Sequence, residues 1–410
     1  MHSRPAWRRI ILWLSGALVT AQALIIAILV AIAQMRKRRA LPAEFPHERR
    51  LISEVDGNDV RIYTYGQDLY NAMLAAIDNA QETIFFETFI WKGDSLGKTF
   101  KERLVRKAAA GVKVYVIFDG FANLIVPSSF KRFPETINTI EYRTLERVWY
   151  ALDPRRYARD HRKLLIVDNQ IAFIGGFNIG KLYATEWRDT HLRIRGPAAL
   201  ELVYTFIDFW NNNRENRAPI DALPARLWPD SIRIHCNDPA RLVFPIRGMY
   251  LDAIERARHH IFLTNAYFIP DRVILSALVA AAERGVDVRV LLPWRSNHVT
   301  ADWLAHSHFG TCLRAGIKLF GFKNAMIHAK TATIDSVWST VGTANLDRLS
   351  LAGNYEINVE IQDSDFAAEM EQVFETDLSN AFELTPEWWD RRPWYVRASE
   401  MILRPLRPLL

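Results

Sequence analysis

His161-Arg162-Lys163-Leu164-Leu165-Ile166-Val167-Asp168 and His328-Ala329-Lys330-Thr331-Ala332-Thr333-Ile334-Asp335 share one frame: histidine, lysine two residues on, aspartate five further on. The copies lie 167 residues apart in a chain of 410. The match continues downstream. Gly175-Gly176 corresponds to Gly342-Thr343, Asn178 to Asn345, and Asp189 to Glu356, each at the same distance from its histidine. A period so long marks a duplicated domain and not a solenoid.

The flanking sequence repeats as well. AIDNAQETIFFETFIW begins at residue 76 and AIERARHHIFLTNAYFI at residue 253. Each leads into a helix-like stretch and then an apolar run, AAAGVKVYVIFDG (108–120) and AAERGVDVRVLLP (281–293). Gly111 and Gly285 are placed to stop those helices, and β-branched strands follow. Helices alternating with buried strands predict an α/β fold of two tandem α-β-α domains with mixed sheets, related by a pseudo-twofold. The expected division is a membrane anchor over 1–40, a first domain over 41–215, a second over 216–385 and an amphipathic tail over 386–410. The polar, proline-rich stretch 214–230 reads as the linker. Residues 121–160 have no counterpart of equal character in the second half and read as a substrate-facing insertion.

The bulk numbers exclude several classes. Half the residues are hydrophobic, so the chain is not disordered. A net charge of +6 suits an anionic partner, lipid surface or nucleic acid. Cys236 and Cys312 form neither a disulfide framework nor a zinc spacing. His306 and His308 read as ordinary polar residues, and no metal or cofactor is expected.

Ile10–Ala33 contains no charged residue and is long enough to cross a bilayer. It is too long for a typical signal h-region and ends in Arg36-Lys37-Arg38-Arg39 where a cleavage site would show small residues. The reading is a retained single-pass anchor in the cell membrane, with the larger basic flank placing the main body in the cytoplasm. At the other end, Trp388, Trp389, Trp394 and Tyr395 alternate with Arg391, Arg392 and Arg397, as in a tail lying on an anionic bilayer.

Residues i and i+2 of a strand share a face, so each histidine points the same way as its lysine. Asp168 and Asp335 fall on the other face, at a hairpin turn, and read as structural. Lysine is not a usual metal ligand. A pair of His, Lys and Asn suits a phosphodiester instead: Lys163 and Lys330 supply charge, and Asn178 and Asn345 donate to non-bridging oxygens. One imidazole attacks phosphorus while the other protonates the leaving alkoxide and later deprotonates the incoming hydroxyl. Asp189 and Glu356 are the candidates for fixing the histidine tautomer.

The paired frames, with ETFIWKGDSLG (87–97), GGFNIG (175–180), EWRDTH (186–191), NAYFIPD (265–271) and VGTANLDRLS (341–350), resemble the bacterial cardiolipin synthases of the phospholipase D superfamily over roughly residues 55 to 410. The resemblance implies two phospholipase D-like domains and a metal-independent reaction. In that reaction a phosphatidyl group passes from phosphatidylglycerol through a phosphohistidine to another phospholipid's hydroxyl, releasing glycerol. It implies His161 as nucleophile and His328 as acid/base, an assignment the near symmetry allows to be exchanged. Its partners are phosphatidylglycerol, other anionic phospholipids and the bilayer, with no nucleic acid expected. Two departures stand out: one N-terminal span where two are common, and Thr343 where serine is common. The competing readings are a phospholipase D using water, a membrane-tethered phosphodiesterase acting on nucleic acid, and a catalytically dead scaffold.

Overall fold

The structure, a computed structural model, describes residues 44–47, 51–144, 157–214, 216–221, 231–297 and 299–392, with scattered positions between 13 and 35. Most of Ile10–Ala33 and all of the tail from 393 onward lie outside the described residues, as does most of the 214–230 linker. No helix among the described residues is long and apolar enough to cross a membrane.

The first half supplies strands β1 (Leu51–Val55), β2 (Asn58–Tyr65), β3 (Thr83–Thr88), β4 (Lys113–Asp119), β5 (Ile137–Tyr142), β6 (Leu164–Val167), β7 (Ile171–Gly175) and β8 (Trp187–Arg195). The second supplies β9 (Ile232–Asn237), β10 (His260–Asn265), β11 (Asp287–Pro293), β12 (Lys318–Phe322), β13 (Met326–Ile327), β14 (Lys330–Ile334), β15 (Trp338–Gly342), β16 (Glu356–Gln362) and β17 (Ala381–Leu384). The first sheet runs β1-β2-β8-β7-β6-β3-β4-β5 and the second β17-β12-β11-β10-β14-β15-β16-β9. Read from opposite ends, they share the order β2-β8-β7-β6-β3-β4-β5 and β9-β16-β15-β14-β10-β11-β12, each with one added edge strand. Both are mixed: β3-β4-β5 and β10-β11-β12 pair parallel, and the hairpins β6-β7 and β14-β15 are antiparallel.

Helices Ser95–Ala109 and Arg272–Glu283 end before Gly111 and Gly285, whose φ values of 93° and 91° lie where a side chain would be strained. Each helix starts on an aspartate, Asp94 or Asp271, whose carboxylate accepts from a backbone N–H of the first turn. Strands β3, β4, β10 and β11, inside the parallel part of each sheet, are buried on both faces over most of their length, which explains their apolar runs. One face of the first sheet packs Ile84, Phe86, Val114 and Val116 against Leu69, Phe100 and Leu104 of its helices. The other face contributes Ile166, Leu192 and Ile194 to a core shared with Val341, Ile357 and Val359 of the second half, with Phe206 and Trp210 between.

Two expectations need correcting. The stretch 121–160 does have a counterpart in part: β5 takes the place of β12. Its sequence, INTIEY, is broken up by Asn138, Thr139 and Glu141 as an edge strand's can be, so it gives no buried-strand signal. Second, His161 and His328 are not inside strands. They sit just before β6 and β14. Each lysine still meets its own histidine, because the ammonium of Lys163 donates to the His161 carbonyl and that of Lys330 to the His328 carbonyl.

Candidate active site

Each histidine is set in place by the opposite half. The His161 N–H donates to the carbonyl of Tyr355 at 3.0 Å, and Asp160 forms a bridge with Tyr355. The His328 N–H donates to the carbonyl of Arg188 at 2.6 Å, and β13, just before it, pairs parallel with the start of β8. Tyr355 and Arg188 immediately precede Glu356 and Asp189. Each histidine therefore lands beside the carboxylate of the other copy: His161 Nδ1 is 2.9 Å from Glu356 Oε2, and His328 Nδ1 is 2.6 Å from Asp189 Oδ2. With Nδ1 engaged, Nε2 is the nitrogen left to react.

The cluster is almost dry. The side chains of His161 and His328 are 12% and 7% exposed, and both carboxylates and both lysines are buried. Burial holds His161 well below the usual imidazole range, helped by the Lys163 and Lys330 ammoniums. Lys330 of the second motif acts on His161, and Lys163 of the first acts on His328, so the charges of each motif reach the other's histidine. His328 falls to about 3 for the same reasons. Burial pushes Lys163 down to about 7 and Lys330 to about 8. The carboxylates differ. Burial raises Asp189, but Lys330 and His328 outweigh it and hold the group ionised. Burial lifts Glu356 to about 8, so the His161–Glu356 pair keeps a proton at neutral pH.

The two copies also differ behind the carboxylates. A Cβ at Gly176 would collide with the Asp189 carboxylate, so only glycine permits this approach. At the matching position the Thr343 hydroxyl donates to Glu356 Oε2 at 2.5 Å. Asn178 and Asn345 are both buried. Asn178 Oδ1 accepts from the Ile90 N–H at 3.2 Å, leaving the amide NH₂ as its donor end. Asn345 Oδ1 is buried with no hydrogen-bond partner among the described residues. Asp168 and Asp335 stand apart from the chemistry. Each carboxylate takes three backbone N–H donors at the start of its neighbouring strand: Gln81, Glu82 and Thr83, or Arg258, His259 and His260.

Several neighbours carried no signal in the linear pattern. The Phe89 ring lies 4.6 Å from His161, edge to face; Trp187 and Tyr267 lie 5.1 and 6.2 Å from His328. Arg162, inside the first motif, pairs with the buried Glu87 and Asp160. Alternation along the chain would have turned Arg162 away from His161, but nothing in the sequence named its partners. A cavity of about 760 Å³ between the halves is lined by Arg162, Phe209, Cys236, Arg241 and Tyr355 and by neither histidine.

Residues 73–210 and 250–378 match the family model described as "Cardiolipin synthase, PLD-like domain". The chain is 32% identical over 368 residues to a cardiolipin synthase of Clostridium perfringens, covering 86% of this chain and 77% of that one. It is 33% identical over 378 residues to a cardiolipin synthase of Listeria monocytogenes, covering 86% and 76%. Among solved structures it is similar to a phosphatidylserine synthase of Haemophilus influenzae. The TM-score is 0.66 at 12% identity, over 92% of this chain and 98% of that one, a likeness of fold.

Proposed function

The chain belongs to the cardiolipin synthase family of phospholipase D-like proteins, and from that membership we propose that it is a phosphatidyltransferase that makes cardiolipin. The single observation that carries the chemistry is the pair of imidazoles, each bonded through Nδ1 to the other half's carboxylate. One Nε2 attacks the phosphorus of phosphatidylglycerol. The P–O bond to the head group breaks, and the second imidazole, protonated, delivers its proton to the departing glycerol oxygen. A P–N bond now joins the phosphatidyl group to the enzyme. The second imidazole, now neutral, removes a proton from another phospholipid's hydroxyl. That oxygen attacks phosphorus, the P–N bond breaks, and the diester product leaves. Lys163, Lys330, Asn178 and Asn345 hold the non-bridging oxygens throughout.

The resemblance assigns His161 as nucleophile and His328 as acid/base. The exchanged assignment is favoured by one feature: His328 faces an ionised carboxylate, while the His161–Glu356 pair retains the proton that a general acid needs. Trapping the phosphoenzyme in His161→Ala and His328→Ala separates the two. The nucleophile is the histidine whose removal abolishes the covalent label.

The reading includes Ile10–Ala33 as a single membrane anchor with the catalytic body on the cytoplasmic side. The test of function is to incubate the purified enzyme with phosphatidylglycerol and resolve the products. Cardiolipin plus glycerol is expected. Phosphatidic acid alone would make the enzyme a hydrolase, and cleavage of nucleic acid without lipid turnover would overturn the lipid reading. Chelators are expected to leave turnover unchanged, because lysine occupies the positions that a metal site would give to ligands.

A further inference from the structure

Three apolar side chains on a loop next to the site stand largely in water. After β4 the chain reads Phe121-Ala122-Asn123-Leu124-Ile125-Val126-Pro127, and Phe121, Leu124 and Ile125 are 57%, 66% and 84% exposed. Single exposed apolar residues are ordinary, but three on one short loop make a patch.

The loop is ordered. Asp119 accepts from the Ala122 N–H at 2.7 Å. Asn123, 1% exposed, donates to the carbonyls of Asp119 and Phe89 at 2.8 Å each and accepts from the Trp91 N–H at 2.8 Å. Val126 is 6% exposed and turns inward. With Asn123 and Val126 pinned, the other apolar side chains cannot fold back onto the core.

The loop is tied to the catalytic cluster by two short routes. Asn123 bonds to Phe89, whose ring packs on His161. Phe121 lies 3.6 Å under the guanidinium of Arg159, two residues before His161. From Gly120 to Pro134 the chain contains Lys131 and Arg132 and no carboxylate. Arg132 and Arg143 are exposed, and Arg143 pairs with Glu141.

We propose that Phe121, Leu124 and Ile125 insert into an anionic phospholipid bilayer and seat the mouth of the active site on the membrane. Apolar tips with Arg159 over Phe121 and Lys131 and Arg132 further along the same loop match the boundary between acyl chains and charged head groups. A lipid substrate then passes from the bilayer to the histidines without its chains crossing water, a consequence that rests on the transferase reading above. The insertion itself does not.

The test uses the full chain in phosphatidylglycerol vesicles, with a solvatochromic dye on Ile125→Cys in a Cys236→Ala background. The remaining cysteine, Cys312, is buried. Blue-shifted emission, quenching by spin-labelled acyl chains and protection from iodide are expected. A dye that stays open to iodide and blind to the lipid quencher overturns the proposal. Self-quenching that disappears on dilution among vesicles also overturns it, assigning the patch to a second copy. Leu124→Glu with Ile125→Glu should lower turnover of vesicle lipid about tenfold. The same variant should turn over detergent-dispersed phosphatidylglycerol within about twofold of the parent, with an unchanged melting temperature. Equal losses in both assays count against insertion. Dye insertion without any lipid turnover would support the loop and sink the transferase reading.

Discussion

Neither imidazole carries its own carboxylate within its own repeat, and that governs what each substitution should do. Asp189→Asn should shift the Nδ1 proton resonance of His328 far more than that of His161, which feels Asp189 only through space; Glu356→Gln should shift that of His161 more. A larger shift at the histidine of the same repeat would refute the crossed pairing. In steady-state assays each of these two changes should lower turnover about 10²- to 10⁴-fold. His161→Ala and His328→Ala should each lower it by at least about 10³-fold with the fold intact by circular dichroism. Near-normal activity in either would refute the paired-histidine chemistry. The lysines set the alkaline limit. Lys163, at about 7, and Lys330, at about 8, lose their charge as pH rises through those values, and the proton kept by Glu356 leaves near the second. The kcat/KM profile should therefore begin to fall at about pH 7 and steepen above about 8, since it reports the free enzyme. The limb for kcat should lie higher, because bound phosphate favours the ammonium. A kcat/KM profile flat to pH 10 would contradict this.

Short segments explain how the crossing is built. The two residues of β13 leave their own sheet to pair with β8, and that detour delivers His328 to Asp189. The Asp160–Tyr355 bridge does the same for His161 in a single step. The hairpins β6-β7 and β14-β15 turn at Asp168-Asn169 and Asp335-Ser336, all with φ between 51° and 56°. Aspartate and asparagine tolerate this left-handed backbone better than most residues. The aspartate also satisfies three N–H groups that the strand ladder leaves open. Asp168→Ala and Asp335→Ala should each cost about 1–3 kcal/mol in urea unfolding. For Asp335, burial raises the pKa but the three donors outweigh it, so its contribution is present at neutral pH and lost on acidification below the ordinary carboxylate range. Catalysis by the folded fraction of either variant should stay close to the parent; a large loss would give these aspartates a chemical role.

The two halves behave as one body because a core and a buried ion pair cross between them. Arg188 on β8 donates to both carboxylate oxygens of Asp377, at 2.8 and 2.6 Å, with both side chains buried. Arg188→Ala takes the guanidinium away from the buried Asp377 carboxylate and should cost about 3–5 kcal/mol. Unfolding followed by fluorescence and by circular dichroism should coincide in one transition, because the shared apolar core exposes itself only when both halves open. Two separated transitions would show that the halves are stable alone. The duplication, the alternation of helix and strand, the turn aspartates and the residue types of the site were all legible in the linear chain, because spacing and composition are local and survive in one dimension. β5 was not, since a polar edge strand lacks an apolar run. Nor was the place of Arg162, whose partners Glu87 and Asp160 are recognised only by proximity. The sequence by itself determined that two equivalent sets of His, Lys, Asn and carboxylate exist. Only the tertiary structure decided that each histidine takes its carboxylate from the other set, because that choice depends on which backbone carbonyl captures each histidine N–H once the sheets face one another, and no spacing along the chain encodes it.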